Sequence, residues 1–237
     1  TATAIGRTFA TNVYASGYTA YASVYNNNII MAAGSGNDTL ALMLTADAEL
    51  MQYAVNSRSA TTVSAYAYYA YAYVSYNDIT MTGGNGFDTL TAMLAASARA
   101  TAIAEGGLNN ASYVYAYVSY ATAYVYSNTV RMLAGSGTEA DTLSVSLQAN
   151  ASGYARAADA SYSVSAYAYY AYAYVSYNDI TMTAGAGSDN LTALLAATAR
   201  LTAIADGGAN ADYAYAYAYT ASASITYNNI YMMAGGP

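Results

Sequence analysis

The chain has 237 residues, of which 56% are hydrophobic and only 8% are charged, and its formal net charge is −7. Binding to nucleic acid is excluded, because an acidic chain without a basic patch cannot neutralise phosphates and release their counterions. The chain contains no Cys and no His, so disulfides and the common nucleophile–base pairs of enzymes are also excluded. No run of 18 apolar residues is present, and no transmembrane helix is predicted. We expect a protein that is not an enzyme.

The sequence repeats itself. Residues 63–82 (VSAYAYYAYAYVSYNDITMT) recur without a change at 164–183, an offset of 101 residues. A shorter period of 51, 50, 51 and 50 residues separates the tyrosines that open a recurring Tyr-Asn motif: Tyr25, Tyr76, Tyr126, Tyr177 and Tyr227. The chain is therefore predicted to be a single repeat array over 1–237. Its units are 25–75, 76–125, 126–176 and 177–226, with partial units at 1–24 and 227–237.

Each unit alternates Ala with Tyr over a long segment and then alternates apolar with polar residues over a second one. Strict alternation places one residue type on one face of a strand, whereas in a helix it would spread Tyr around the axis. Two strands per unit are predicted, joined by Gly-rich turns. The doublet at Tyr68 and Tyr69, which recurs at Tyr169 and Tyr170, breaks the alternation and is interpreted as a β-bulge.

Two all-β arrangements fit this pattern. In a parallel β-solenoid each unit of about 50 residues forms one coil, and equivalent residues stack at about 4.8 Å. In an antiparallel β-meander each strand pairs with the next one along the chain. The nearly constant spacing of the Tyr-Asn motif favours the solenoid. Stacking would then form candidate assembly ladders of Tyr25, Tyr76, Tyr126, Tyr177 and Tyr227, and of Asn26, Asn77, Asn178 and Asn228.

The Gly-rich turns end in acidic residues, at Asp38, Asp88, Asp141 and Asp189. Residues 83–91 (GGNGFDTLT) fit the pattern G-G-x-G-x-D-x-U-x, in which U is a large apolar residue. Residues 33–41 and 184–192 begin with Ala instead, and the copy at Ala134 carries two extra residues before Asp141.

These turns resemble the repeats of RTX proteins, a secreted family whose calcium-bound turns build a parallel β-roll. The resemblance implies calcium as a cofactor, with the four aspartates as its ligands. In that family the nonapeptides stand in tandem, whereas here each one is single. The alternative is that each Asp caps its turn by bonding to backbone N–H groups.

A structural role is the favoured function. Uncharged strands lack the Lys and Pro that normally protect sheet edges, and small Ala faces allow close packing. Repeats that are partial at both ends suit a subunit whose ends meet copies of itself. We expect an extracellular structural protein that self-assembles through β-sheet edges and Ala/Tyr faces into a fibre, sheath or surface layer. The alternative is a cell-surface adhesin or glycan-binding module that presents an exposed row of Tyr.

Overall fold

The chain folds as a parallel β-solenoid. The structure, a computed structural model, describes residues 2–6, 11–56, 60–107, 111–135, 137–208 and 211–235. Fifteen strands in these residues form five coils of three strands each. Coil 1 contains β1 (Ala2–Gly6), β2 (Asn12–Tyr25) and β3 (Asn28–Ala32), and coil 2 contains β4 (Thr39–Asn56), β5 (Thr62–Ser75) and β6 (Asp78–Thr82).

The remaining coils repeat this order. Coil 3 contains β7 (Thr89–Glu105), β8 (Ala111–Tyr126) and β9 (Thr129–Leu133). Coil 4 contains β10 (Thr142–Ala158), β11 (Ala160–Ser176) and β12 (Asp179–Thr183). Coil 5 contains β13 (Asn190–Asp206), β14 (Tyr213–Thr226) and β15 (Asn229–Met233).

Equivalent strands of successive coils pair in parallel and build three five-stranded sheets. We call them the leucine sheet (β1-β4-β7-β10-β13), the tyrosine sheet (β2-β5-β8-β11-β14) and the short sheet (β3-β6-β9-β12-β15). Val63 pairs with Val114 and Leu90 pairs with Leu143, each with its counterpart one coil away. The predicted solenoid is therefore confirmed, and the antiparallel meander is excluded because each of these ladders is parallel.

The prediction of two strands per unit is wrong, because the first segment of each unit bends. Tyr76 adopts a left-handed backbone with φ 55°, and Tyr177 and Tyr227 do the same. A left-handed residue ends a strand, because it turns the chain out of the extended conformation. The bend separates the long strand of the tyrosine sheet from the strand of the short sheet.

The core lies between the leucine sheet and the tyrosine sheet. The alanines of β5 point inward and are fully buried, as are Leu90 and Leu94 of β7. Alternation thus separates the two faces of each strand as predicted, with Ala inside and Tyr outside. In coils 2, 3 and 4 the core already covers the alanine face of the tyrosine sheet, whereas Ala214, Ala216 and Ala218 of coil 5 are exposed.

The tyrosine doublet of coils 2 and 4 lies at a break in alternation that every coil shares, so neither paired strand has the extra residue of the predicted β-bulge. Ala67 and Ala70 are both fully buried, whereas Tyr68 and Tyr69 between them are both partly exposed. The ladder from β5 to β8 passes from Ala67 to Tyr69 and omits Tyr68. Because each strand passes this point with the same number of residues as its partner, the register is the same on both sides.

Candidate functional site

One asparagine from each coil belongs to a continuous column at the bend between the tyrosine sheet and the short sheet, and the three inner members are buried. The amide Nδ2 of each residue donates to Oδ1 of the next, at 2.8, 2.8, 3.0 and 2.8 Å. The backbone N–H of each residue donates to the same Oδ1 at 3.1 Å. We call this the asparagine column: Asn27, Asn77, Asn128, Asn178 and Asn228.

The column differs from the predicted one at its first member. Asn26 was expected to stack on Asn77, but Asn27 does so. Asn26 instead occupies the left-handed position, with φ 56°. Three consecutive asparagines in coil 1 hide the register in the sequence. Pairing of Ile29 with Ile79 fixes the register in the structure.

The predicted tyrosine ladder is also placed differently, since its members occupy two neighbouring register positions. Tyr25 and Tyr126 end their strands, whereas Tyr76, Tyr177 and Tyr227 lie one residue later, at the left-handed position. The rings still meet between coils. Their centroids are 5.4 Å apart for Tyr25 and Tyr76, 5.2 Å for Tyr76 and Tyr126, and 5.0 Å for Tyr177 and Tyr227.

The four predicted aspartates stack into an aspartate column: Asp38, Asp88, Asp141 and Asp189. Oδ1 accepts the backbone N–H of the preceding aspartate of the column in Asp88, Asp141 and Asp189, at 3.1, 2.9 and 2.9 Å respectively. Oδ2 of Asp88 also accepts the N–H of Gly84 at 2.8 Å, within the same turn. These carboxylates therefore cap backbone donors, both within a turn and between coils.

Calcium binding by these turns stays a prediction, and four of the eight carboxylate oxygens of the column already accept backbone N–H groups. Calcium takes six to eight oxygen ligands. Both carboxylate oxygens of Asp88 and Oδ1 of Asp141 accept backbone N–H groups, whereas Oδ2 of Asp38 and Oδ2 of Asp189 are buried without a hydrogen-bond partner in the described part of the chain. No group of three acidic, His or Cys side chains that could hold a metal lies among the described residues.

Calcium and chelators are accordingly expected to leave stability unchanged. We expect the same Tm in EDTA and in excess calcium, measured by circular dichroism at fixed ionic strength. Magnesium at the same concentration controls for the general effect of a divalent ion. A rise of several degrees in calcium alone would mean that the turns rearrange to pool their oxygens.

The carboxyl of Asp141 in the aspartate column has a raised pKa. Burial raises the pKa of its carboxyl above the ordinary value, and the charges of Asp189, Asp88 and Glu139 add to the rise. The hydrogen bond from the backbone of Asp88 opposes them. A carboxyl with a raised pKa holds its proton more tightly in the folded state, so its ionisation reduces stability as the pH rises.

Asp141→Asn should therefore stabilise the protein at pH 7. The amide oxygen still accepts the N–H of Asp88, while the buried charge is lost. The gain in unfolding free energy should disappear as the pH falls below the ordinary Asp pKa of about 3.9. Urea denaturation at pH 7 and at a pH below the ordinary Asp pKa measures this gain in unfolding free energy. A variant that is less stable than the parent at pH 7 would show that the carboxylate itself is needed.

A glycine column beside the aspartates was missed by sequence reasoning. It comprises Gly34, Gly84, Gly135, Gly185 and Gly235. A Cβ added at Gly84 would overlap with the carbonyl oxygen of Gly34, and one at Gly135 would overlap with that of Gly84. The same relation holds along the column, while a Cβ at Gly34 would have no atom within 4 Å. These glycines do not have left-handed backbones, so close approach between coils is what requires them.

The outward face of the tyrosine sheet carries stacked rings. Tyr124 stacks on Tyr73 and on Tyr174, with centroids 5.2 and 4.9 Å apart. Tyr120 stacks on Tyr170 at 4.7 Å. Each such pair contributes roughly 0.5–1.5 kcal/mol beyond its area burial. An open groove of about 380 Å³ runs along this face and is lined by Tyr73, Tyr124, Tyr126, Ser176 and Tyr177.

Crowding of the phenols makes the tyrosine face sensitive to alkali. Burial, with the neighbouring phenols of Tyr124 and Tyr71, raises the pKa of Tyr73 to about 12. The folded state thus favours the neutral phenol. The unfolding free energy therefore falls as the pH rises from the free Tyr pKa of about 10 to about 12. Tyr73→Phe, which keeps the ring, should reduce the loss of unfolding free energy between these pH values in urea titrations. An unchanged loss would contradict this account.

Both ends of the stack are uncapped in the described residues. β2 and β3 form one edge of the tyrosine and short sheets, and β14 and β15 form the other. Met232 and Ile230 of β15 are 47% and 42% exposed, whereas their counterparts Met182 and Ile180 in coil 4 are fully buried. The ends therefore expose unpaired backbone groups together with apolar residues that inner coils bury.

The four edge strands also lack charge. No Asp, Glu, Lys or Arg occurs in β2, β3, β14 or β15. The inner strands of the short sheet do carry charges, at Asp78, Arg131 and Asp179. Soluble proteins normally protect sheet edges with charged residues, proline or a covering segment. In the short sheet the edges are therefore less charged than the interior, whereas in the tyrosine sheet every strand is uncharged. In the leucine sheet the edge strand β13 does carry charges, at Arg200 and Asp206.

The chain matches no known family model, and no curated protein and no solved structure shows significant similarity to it. In the part of the chain that the structure describes, no helix has the length and apolar character needed to cross a membrane.

Proposed function

We propose that this chain is an extracellular structural protein that self-assembles into a fibre, sheath or surface layer. The observation that carries the proposal is the pair of uncapped ends, at which the edge strands of the tyrosine and short sheets carry no charge. Unpaired strand edges are templates for pairing with another chain. Association between copies would bury Ile230 and Met232, whose exposure has no other described role.

The interior of the protein supports a material role over a catalytic one. The carboxylates of Asp88 and Asp141 are occupied by backbone N–H groups. The asparagine amides likewise bond to one another and to backbone carbonyls. We therefore propose no enzymatic activity. Low charge and the lack of Cys, whose thiols oxidise, suit a material outside the cell.

Sedimentation velocity and negative-stain electron microscopy over a concentration series test this function. We expect monomers to give way to long regular assemblies above a critical concentration, with and without calcium. A protein that remains monomeric at millimolar concentration would overturn the proposal.

The tyrosine face favours a second candidate function, a cell-surface adhesin or glycan-binding module. The groove beside Tyr73, Tyr124 and Tyr177 presents aromatic rings and phenol hydroxyls of the kind that stack on sugar rings. A glycan array probed with monomeric protein tests this candidate. Binding that is lost in Tyr124→Ala, with self-assembly absent in the parent, would favour the adhesin over the structural protein.

A further inference from the structure

We propose that copies of this chain join end to end, with coil 5 of one copy stacking on coil 1 of the next in the same register that links coils within the chain. This inference rests on the proposed function, self-assembly, and specifies its joint. Within the chain, equivalent positions of successive coils pair four times in the tyrosine sheet and four times in the short sheet. In the leucine sheet coil 1 contributes only the five residues of β1, so the proposed joint concerns the other two sheets. The joint would be a fifth such contact, made between β14 and β2 and between β15 and β3.

The asparagine column has complementary ends. Within the chain, each asparagine donates its backbone N–H and its Nδ2 to Oδ1 of the next coil. Among the described residues, the backbone N–H of Asn228 has no acceptor, and Oδ1 of Asn27 has no donor. In the proposed register, Asn228 of one copy donates to Asn27 of the other. A shift by one residue would break this contact.

The backbone at the joint is complementary in the same way. Asp78 N–H donates to the carbonyl of Asn27 in the coil before it, and Asn229 N–H donates to that of Asn178. The N–H of Asn28 is the coil 1 counterpart and faces outward. Asn228 carries the matching carbonyl at the other end of the stack.

Apolar columns would also continue across the joint. Ile29, Ile79, Ile180 and Ile230 belong to one column, and Met31, Met81, Met182 and Met232 belong to the next. The rings of Tyr227 and Tyr25 occupy positions like those of Tyr76 and Tyr126, whose centroids are 5.2 Å apart. None of the four strands that would pair at the joint carries a charge, so like charges do not repel each other within these two sheets.

The glycine column gives the joint a steric requirement. Each inner glycine faces the carbonyl of the glycine one coil before it, which leaves no room for a Cβ. Gly34 faces open space in a single chain. In the proposed joint it would face the carbonyl of Gly235 from another copy. Gly34 therefore becomes intolerant of a side chain only when the chains are stacked.

Gly34→Ala tests this joint. We expect the variant to fold with the circular dichroism spectrum and Tm of the parent, but to raise the critical concentration about tenfold or more, the effect of about 1.4 kcal/mol. The matched control is Ser35→Ala at the next residue. It introduces the residue that coil 4 already has at the equivalent position, Ala186, and should assemble like the parent.

The joint also predicts a directional effect on growth. A Gly34→Ala chain keeps its coil 5 intact, so it can stack on the exposed coil 1 of a parent filament but offers no site for the next chain. Substoichiometric amounts should therefore shorten parent filaments. Filaments of stacked subunits should show an axial repeat of about 24 Å, five strand spacings of about 4.8 Å each.

A second variant keeps the test decisive if Gly34→Ala misfolds. Asn28→Pro removes the outward N–H at the first residue of an edge strand, a position where proline is tolerated. It should fold and fail to assemble. If folded Gly34→Ala or Asn28→Pro assembles like the parent, the joint lies elsewhere and self-assembly still stands. If the parent never assembles, the proposed function fails together with the joint.

Discussion

Gly135→Ala is expected to lower the unfolding free energy by more than about 4 kcal/mol, a loss that few single substitutions cause. A Cβ at this position would overlap with the carbonyl oxygen and carbon of Gly84. The obstacle is backbone, so no side-chain rotation relieves it. Relief requires coils 2 and 3 to separate at this corner, which stretches the ladders of the short sheet.

Urea denaturation of dilute, monomeric protein measures this loss. Gly34→Ala is the matched control, because the same substitution in the same column meets no atom within 4 Å. The unfolding free energy of Gly34→Ala should stay within about 0.5 kcal/mol of that of the parent. Equal stability of the two variants would mean that successive coils are farther apart at this corner than the structure places them.

Asn128→Ala should lower the unfolding free energy by about 3–5 kcal/mol. The substitution removes several buried hydrogen bonds, and each group left unsatisfied costs roughly 1–3 kcal/mol. Asn128 is 1% exposed. Its Oδ1 accepts two hydrogen bonds from Asn77, at 3.1 and 2.8 Å, and its Nδ2 donates to the carbonyl of Val74 at 3.0 Å. Alanine leaves these buried groups without their partner.

Asn27→Ala provides the comparison at the exposed end of the same column. Asn27 donates to Asn77, but among the described residues nothing donates to its Oδ1, and solvent reaches its side chain. We expect Asn27→Ala to lower the unfolding free energy by less than about 1 kcal/mol, as most surface substitutions do. Thermal and urea unfolding of the two variants side by side would measure the difference. Similar losses would show that the column contributes by side-chain packing rather than by buried hydrogen bonds.

The fold could be predicted from the sequence because its main determinants are periodic. Alternation of Ala and Tyr fixes which face of a strand is buried, and the repeat of about 50 residues fixes which strands pair. The register could not be predicted from tyrosine, because Tyr25 and Tyr76 stand at different positions of the bend. The constant positions are those of Asn77, Ile79 and Met81, whose buried side chains cannot shift without leaving the column.

The glycine column was beyond sequence reasoning for a different reason. Glycines in turns are commonly explained by left-handed backbones, and that explanation is correct for Gly86, with φ 130°. Gly84, two residues earlier, is required by a carbonyl from another coil. The need appears only when two coils are stacked, so no local pattern reveals it. A glycine at the same position of every unit is the signal that could have found it.

Each coil contacts only its neighbours, and this gives the molecule a gradient of local stability. In a quasi-one-dimensional stack, opening can begin at an end and proceed one coil at a time. Amide hydrogen exchange should therefore be fastest in β2 and β15 and slowest in β8. Stacking of chains would convert two fraying ends into interior coils, so exchange in coils 1 and 5 would slow. A growing filament would thereby protect its subunits from proteases that attack opened strands.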